Sequence, residues 1–546
     1  MRAPLSLSVK MVRARAWWAA WWAASLWVAA GSPVSSGRDR LLYIMMDGLR
    51  WDYVDQQDAS VLPGFNRILS EGVRAKWTNP LFPSISYPTW TTLSTGLHAE
   101  SHNIVGNYFH DATNGDDFSL FDADATGKPK WWTAEPIWTT AEKSGLRTAQ
   151  YLWSRCDVPI DGITTEFCEH FVKIPGKEIF EANIQKALQK FDEGFDFVQV
   201  YTEHTDNTGH KFGPDSEDLR QAMRDLDDVL MQLMAGLEER GLLNRVNIVI
   251  VSDHGMTTTD PSVTETHEID DYLDTDLVEN LADRGAFMNI KVIAGNVDTV
   301  FDQVSQIPGV MAYKHADIPD RYHFKDSPYI YDIILVAKKG HYIMASRSDK
   351  QLPRRSGSYV SVGGHGYDPD DMNMKGIFFA RGPAFDCGSV VEPIHVVDVY
   401  QVLTHVLHLT PLPHNGTWSH VEPIFRTYDS VCSGAARCLI SVPSALLLAL
   451  ALGIVESVLQ MRNADIRYTL SVRRVLGRGT AELSRHHSWQ LTPKRVEIRA
   501  SLPSHNRIVP HCLCHYRRHH HHHQPCSVMP HQHILQLYMS ISSSAI

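Results

Sequence analysis

Four short apolar runs stand out along the chain: LLYIMM at 41–46, FVQVY at 197–201, NIVIV at 247–251 and GIFFA at 376–380. Each reads as a strand buried on both faces, the kind found in a parallel sheet. Helical spacing of apolar residues lies between them. FEANIQKALQKFDEG ends at Gly194, and SEDLRQAMRDLDDVLMQLMAGLEERG stops at Gly241. Strands alternating with helices predict an α/β fold with a mainly parallel central sheet and helices on both faces.

Polar motifs follow these strands directly. Asp47-Gly48 follows the first, Glu203 to His210 the second, and Ser252-Asp253-His254-Gly255 the third. Open α/β sheets bind ligands beyond the carboxyl ends of their strands. A site at that edge of the sheet is therefore expected. Residues 38–428 read as one continuous catalytic domain, without a long linker or an internal repeat.

The two ends of the chain read differently. Residues 1–37 carry Arg13 and Arg15 before the apolar run AWWAAWWAASLWVAA and a small-residue segment, the pattern of a secretory signal peptide. A membrane anchor is the other reading, but the run falls short of the ~20 residues needed to span a bilayer. Residues 429–460 combine a small-residue spacer with an apolar stretch, Leu439 to Leu459, which reads as a GPI signal or a transmembrane segment. Residues 461–546 form a low-complexity tail expected to be disordered. It contains the tract His519 to His523, a possible metal binder with no carboxylate or Cys pattern around it.

Composition narrows the function. Hydrophobic residues make up 43% of the 546, ordinary for a chain with a large core. The formal charge of -11 argues against a nucleic-acid partner. Secretion makes disulfides possible, and Cys156 and Cys168 close a short loop that suits a pair. Asn415-Gly416-Thr417 is a glycosylation sequon, meaningful on a lumenal face.

The candidate chemistry is metal-based. Zinc takes nitrogen and oxygen donors from His and carboxylates. The chain offers Asp47, Asp206, His210, Asp253, His254 and His365 in four short motifs. Asp206 and His210 stand four apart and reach one ion if that segment is helical. Asp253 and His254 are adjacent, so a turn must bring both to one ion. His365 sits in Gly363-Gly364-His365-Gly366, where glycines allow close backbone approach. FPSISYPT supplies Ser84 and Ser86 as candidate nucleophiles, either of which a metal could activate.

These motifs resemble the ectonucleotide pyrophosphatase/phosphodiesterases, members of the alkaline phosphatase superfamily. The resemblance rests on MMDGLRWDY, FPSISYPTWTTLSTGLH, NIVGNYF, YTEHTDNTGHKFGP, VSDHGM and GGHGYD, between residues 40 and 425. It implies an alkaline-phosphatase-like fold and two Zn2+ ions at the carboxyl strand ends. Asp206, His210 and His365 would hold one ion; Asp47, Asp253 and His254 would hold the other, with Ser86 reaching it as nucleophile. Asn107 would hydrogen-bond a phosphate oxygen. Thr89 stands where the family usually has Asn.

Within the family the chain is most similar to the choline-phosphodiesterase branch, because Ser86 replaces the usual threonine. That implies hydrolysis of glycerophosphocholine, lysophosphatidylcholine and related choline phosphodiesters to phosphocholine. It also implies an extracellular or secreted, membrane-anchored setting, and it admits a homodimer. A choline group needs aromatic faces; Tyr201 is the first candidate, with Trp153 and Tyr151 behind it. A nucleotide pyrophosphatase of the same fold is the alternative. A catalytically silent surface protein is a third reading, at odds with six retained ligands and Ser86.

Overall fold

Successive residues of the strand Arg40–Met46 (β1) face opposite ways, and both ways lead into apolar packing. Leu41, Tyr43 and Met45 join one buried cluster, while Leu42, Ile44 and Met46 join another. A strand buried on both faces needs a cover on each side, and helices supply it. The helices Pro63–Glu71 (α1), Lys177–Asp192 (α3) and Glu217–Glu239 (α5) contribute Phe65, Ile184 and Leu230 to the second cluster. The helices Ser86–Thr95 (α2) and Val396–Val406 (α6) contribute Leu93 and Val399 to the first. His204–Phe212 forms one further helix (α4) at the edge of the sheet.

This computed structural model describes residues 39–426, apart from 121, 154, 172–174 and 358–359, together with 469–473 and 536–540. The expected leader, the apolar stretch 439–459, the His tract and the five cysteines beyond 426 lie outside the described residues. Among the described residues no helix is long and apolar enough to cross a membrane. Thr469–Arg473 and Gln536–Ser540 pair with each other as antiparallel strands.

The strands of the two larger sheets are, in chain order, β1, Val73–Ala75 (β2), Thr148–Tyr151 (β3), Phe167–Glu169 (β4), Phe197–Thr202 (β5) and Val246–Val251 (β6). Then come Val278–Ala282 (β7), Phe287–Val292 (β8), Val310–Lys314 (β9), Ile333–Ala337 (β10), Gln351–Leu352 (β11), Phe378–Arg381 (β12) and Ser389–Val391 (β13). The central sheet has eight strands in the order β13-β2-β12-β6-β1-β5-β3-β4. β1 runs parallel to both β5 and β6, with Met46 opposite Thr202 and Met45 opposite Val251. That register brings the carboxyl ends of three adjacent strands level, and the expected motifs emerge there.

Two features depart from the sequence reading. The run at 376–380 forms β12, which is antiparallel to both β6 and β2. Its apolar residues fit the buried sheet in either direction, so the pattern carried no information about polarity. A second sheet, β9-β10-β8-β7-β11, was not anticipated at all. It is mostly antiparallel and has its own core, including Leu281, Ile290, Val300 and Leu335. This excursion separates β6 from the glycines before His365.

Cys156 and Cys168 form a disulfide with Cα atoms 5.7 Å apart. Cys387 is also disulfide-bonded. Asn415 is exposed, and its Oδ1 accepts the His98 N–H at 3.0 Å.

One capping arrangement ties the helical layer together. Leu62, at the N-cap of α1, has no side chain able to accept from the first turn. Asp227 of α5 does so instead: its two oxygens accept the N–H groups of Gly64 (2.9 Å) and Phe65 (2.7 Å). Asp227 is only 2% exposed. Asp227→Ala leaves two buried donors without partners and should cost about 1–3 kcal/mol. Urea unfolding should show a lower midpoint at an unchanged slope; an unchanged midpoint would remove Asp227 from this role.

Candidate active site

Asp47 is the residue after β1, and Gly48 turns the chain away with φ +65°. A Cβ on Gly48 would lie 2.8 Å from the Cβ of Asp206, so glycine is required both for the turn and for the close approach. Asp206 and His210 stand one turn apart on α4, with His210 Nε2 3.3 Å from Asp206 Oδ2. His365 follows the short strand Gly363–Gly364 and places its Nε2 3.2 Å from His210 Nε2. Beyond β6, His254 Nε2 lies 3.4 Å from Asp253 Oδ2 and 3.6 Å from Asp47 Oδ1.

Six side chains therefore form two triples, Asp206/His210/His365 and Asp47/Asp253/His254. Within each triple, one donor atom per residue lies within 4.8 Å of the others. The His254 and His365 rings stack across the boundary at 3.6 Å.

All three imidazoles are oriented in the same way. His210 Nδ1 faces the Gly363 carbonyl (2.8 Å), His254 Nδ1 the Gly255 carbonyl (3.0 Å) and His365 Nδ1 the Ser84 carbonyl (3.2 Å). A carbonyl only accepts, so each Nδ1 carries a proton and each Nε2 is the ring nitrogen turned toward the site, where a cation would take its lone pair. Backbone contacts of this kind fix the tautomer and ring direction of metal-binding histidines.

The carboxylates are held from behind as well. Tyr201 donates its hydroxyl to Asp47 Oδ2 at 2.6 Å. Asp253 Oδ1 accepts the N–H groups of Gly48 and His254, and its Oδ2 accepts the Trp90 indole N–H at 2.8 Å. The atoms left over are Asp47 Oδ1, Asp206 Oδ1 and His254 Nε2, all buried and without a hydrogen-bond partner. Orphaned polar atoms of this type are expensive unless something charged fills the space between them. Two divalent cations fit this donor set of carboxylates and imidazoles.

The electrostatics agree. Burial pushes the Asp47 carboxyl well above its usual range, and Asp253 and Asp206 push it further. Burial opposes ionisation of Asp206, but His210 beside it outweighs that and holds the carboxyl low. Burial likewise disfavours charge on His210, yet Asp206 raises it to about 9. Burial and the stacked His254 depress His365 strongly. Glu203, just after β5, is raised to about 8, by burial first and Asp206 second. Four carboxylates thus crowd one pocket, and bound cations would relieve their repulsion.

The serines are distinguished by their surroundings. Ser84 is fully buried, and its hydroxyl donates to the Tyr367 carbonyl at 2.6 Å. Ser86 opens α2, where backbone N–H groups and the helix dipole favour negative charge. Asn107 Oδ1 accepts the N–H of Tyr87, the residue after Ser86, at 2.9 Å, so the amide is held by the first turn of α2.

The cation-facing candidates are placed differently from expectation. Tyr201, Trp153 and Tyr151 are each 1% exposed. Trp153 packs on Tyr43, and the Tyr201 hydroxyl is committed to Asp47, so none presents an open ring face. Phe171 is 43% exposed and edges Tyr201 at 6.4 Å. Two residues of the site escaped the sequence reading. Trp90 gave no signal in a Trp-rich chain, and Glu203 was visible only as a polar residue after a strand.

Trp90→Phe keeps the ring and removes the donor to Asp253. Affinity for a divalent cation, with zinc as the probe, should fall about 10- to 100-fold, as is typical for lost outer-shell partners. Competition with a chromogenic chelator measures it, and an unchanged affinity would refute the role of Trp90.

The profile of the family described as Type I phosphodiesterase / nucleotide pyrophosphatase matches residues 41–368. Human ectonucleotide pyrophosphatase/phosphodiesterase family member 5 is 33% identical, over 71% of this chain and 79% of its own length. The mouse bis(5'-adenosyl)-triphosphatase enpp4 is 32% identical over 76% of this chain and 88% of its own. An inactive variant of murine ectonucleotide pyrophosphatase/phosphodiesterase 5, solved with AMP, superposes with a TM-score of 0.65 at 32% identity. That match covers 71% of this chain and all of the murine one. With its α/β fold and this site, the chain belongs to the ectonucleotide pyrophosphatase/phosphodiesterase family of the alkaline phosphatase superfamily.

Proposed function

We propose that this protein is a two-zinc phosphodiesterase of choline phosphodiesters, with Ser86 as nucleophile. Asp206, His210 and His365 would hold one ion; Asp47, Asp253 and His254 would hold the other, beside Ser86. The observation that carries this reading is the convergence of three Nε2 atoms with the orphaned oxygens of Asp47 and Asp206.

When bound, such ions lower the pKa of a nearby hydroxyl and neutralise charge on the phosphoryl oxygens. The chain does the rest. Ser86 Oγ attacks phosphorus in line and loses its proton, and the P–O bond to the alcohol breaks on the opposite side. The phosphocholine group stays on Ser86 until water attacks the same phosphorus and returns the serine hydroxyl. Asn107 Nδ2 donates to a phosphoryl oxygen as negative charge accumulates, and Tyr87 keeps that amide oriented. Trp90 and Tyr201 hold the carboxylates of Asp253 and Asp47 still.

The choline assignment is supported by Glu203. Its Oε2 lies 3.4 Å from the Tyr201 hydroxyl, and it belongs to neither triple. Once bound cations offset the charge of Asp206, Glu203 ionises, and a carboxylate there attracts a quaternary ammonium and repels the additional phosphates of a nucleotide. The exposed ring of Phe171 lies nearby, against Tyr201. Nucleotide hydrolysis is the second reading, because murine member 5 was solved with AMP and mouse enpp4 is named a bis(5'-adenosyl)-triphosphatase. The disulfides fit an oxidising compartment, so we place the protein outside the cell or at its outer face.

Ser86→Ala should lower kcat on the order of 10³-fold or more with the fold intact. A strong chelator should abolish activity and added zinc restore it. Glycerophosphocholine and lysophosphatidylcholine should be cleaved faster than a nucleotide ester, releasing phosphocholine rather than choline. Glu203→Gln should raise KM for the choline substrates at least about tenfold and lower it for a nucleotide that carries additional phosphates. Faster cleavage of the nucleotide ester by the wild type would establish the second reading instead.

A further inference from the structure

A third group of metal-type ligands lies outside the active site. The strands Glu265–Glu268 and His341–Met344 pair in parallel, with Glu265 opposite His341 and His267 opposite Ile343. Glu265 and His267 are two residues apart and so share a strand face. His341 meets them from the neighbouring strand. Its Nδ1 lies 3.0 Å from His267 Nε2 and 3.7 Å from Glu265 Oε2. One donor atom from each residue lies within 4.8 Å of the other two.

These separations match those of the active-site triple Asp206/His210/His365, whose donors stand 3.2, 3.3 and 3.7 Å apart. Two imidazole nitrogens on one tetrahedral zinc, each about 2.0–2.1 Å from it, stand about 3.3 Å apart. The chain also makes room for this geometry. The His341 ring seats directly on Gly309, where a Cβ would fall 2.1 Å from Nε2, so the ring cannot swing that way. His267 is 3% exposed, whereas the Glu265 side chain is 61% exposed. The group is anchored on its inner side and open to incoming ions on its outer side.

We propose that Glu265, His267 and His341 form an additional site for a divalent transition cation of the zinc type, with water completing the coordination. An ion there clamps the two strands together. The clamp reaches the active site through one residue: the Tyr367 hydroxyl donates to the His341 carbonyl at 3.0 Å, and the Tyr367 carbonyl accepts from Ser84. Tyr367 stands two residues after His365. The cation is thus a structural support for the segment that carries His365.

The test counts bound zinc in the full-length protein, equilibrated across a series of buffered free Zn2+ concentrations, against His341→Ala and Glu265→Gln. The tract His519 to His523 and the triple Asp47/Asp253/His254 are common to all three chains, so they cancel in the difference. At saturation the wild type should hold one more zinc per chain than His341→Ala, and Glu265→Gln should bind that ion at least about tenfold more weakly. Zinc should raise the thermal midpoint of the wild type more than that of either variant. Equal zinc content in wild type and His341→Ala across the series would overturn the site and leave an ordinary His–His hydrogen bond. Should His341→Ala fail to fold, Glu265→Gln decides alone, and an unchanged affinity there overturns the proposal. A difference of two zincs would carry the same proposal, with the ion beside His365 lost together with its support.

Discussion

Charge repulsion among buried carboxylates is the constraint around which this molecule is organised. Parallel pairing of β6, β1 and β5 brings three strand ends level, and each delivers acidic residues to the same small volume. Asp47, Asp206, Asp253 and Glu203 could not all ionise there without nearby positive charge. Every surrounding feature answers that demand. The Gly48 turn admits Asp206, Trp90 and Tyr201 donate to the carboxylates, and three imidazoles aim Nε2 inward. The pocket is strongly polar, yet it is framed by two large apolar clusters that give it rigidity.

Much of this was legible in the sequence, for a physical reason. Buried parallel strands are short apolar runs, and the chain must turn immediately after them, so polar residues at 47, 203–210 and 252–254 were bound to share an edge. Helical spacing placed Asp206 and His210 on one face, and they lie on α4. Other features were silent. The direction of β12 is not encoded in an apolar run. The second sheet is made of pieces of two to six residues, such as VENLA and VMAYK, which carry no strong periodicity. Tyr201 was expected near the site and is there, but residue 201 alternates toward the face of β5 that packs on Trp90, and its hydroxyl is bound to Asp47. The difference between Ser84 and Ser86 depends on the carbonyl of Tyr367, 283 residues away, which no local pattern reveals.

The second sheet also changes how the site is supported. It lies in the chain between His254 and His365, two residues whose rings stack. The excursion leaves from the end of one triple and returns to supply the last member of the other. Its internal core means that the return point is set by packing rather than by a slack loop.

The spread of the site along the chain bears on its biosynthesis. The loop bearing Ser86 is fastened by two bonds to residues made much later, Ser84 Oγ to the Tyr367 carbonyl and the Ser84 carbonyl to His365 Nδ1. Those bonds close loops of 283 and 281 residues, so they cannot exist while the ribosome is still working on the second sheet. The nascent chain therefore carries an incomplete and inactive centre through most of its synthesis. Hydrolytic competence arrives only with the final third of the polypeptide, after the sheet that supports it has been translated.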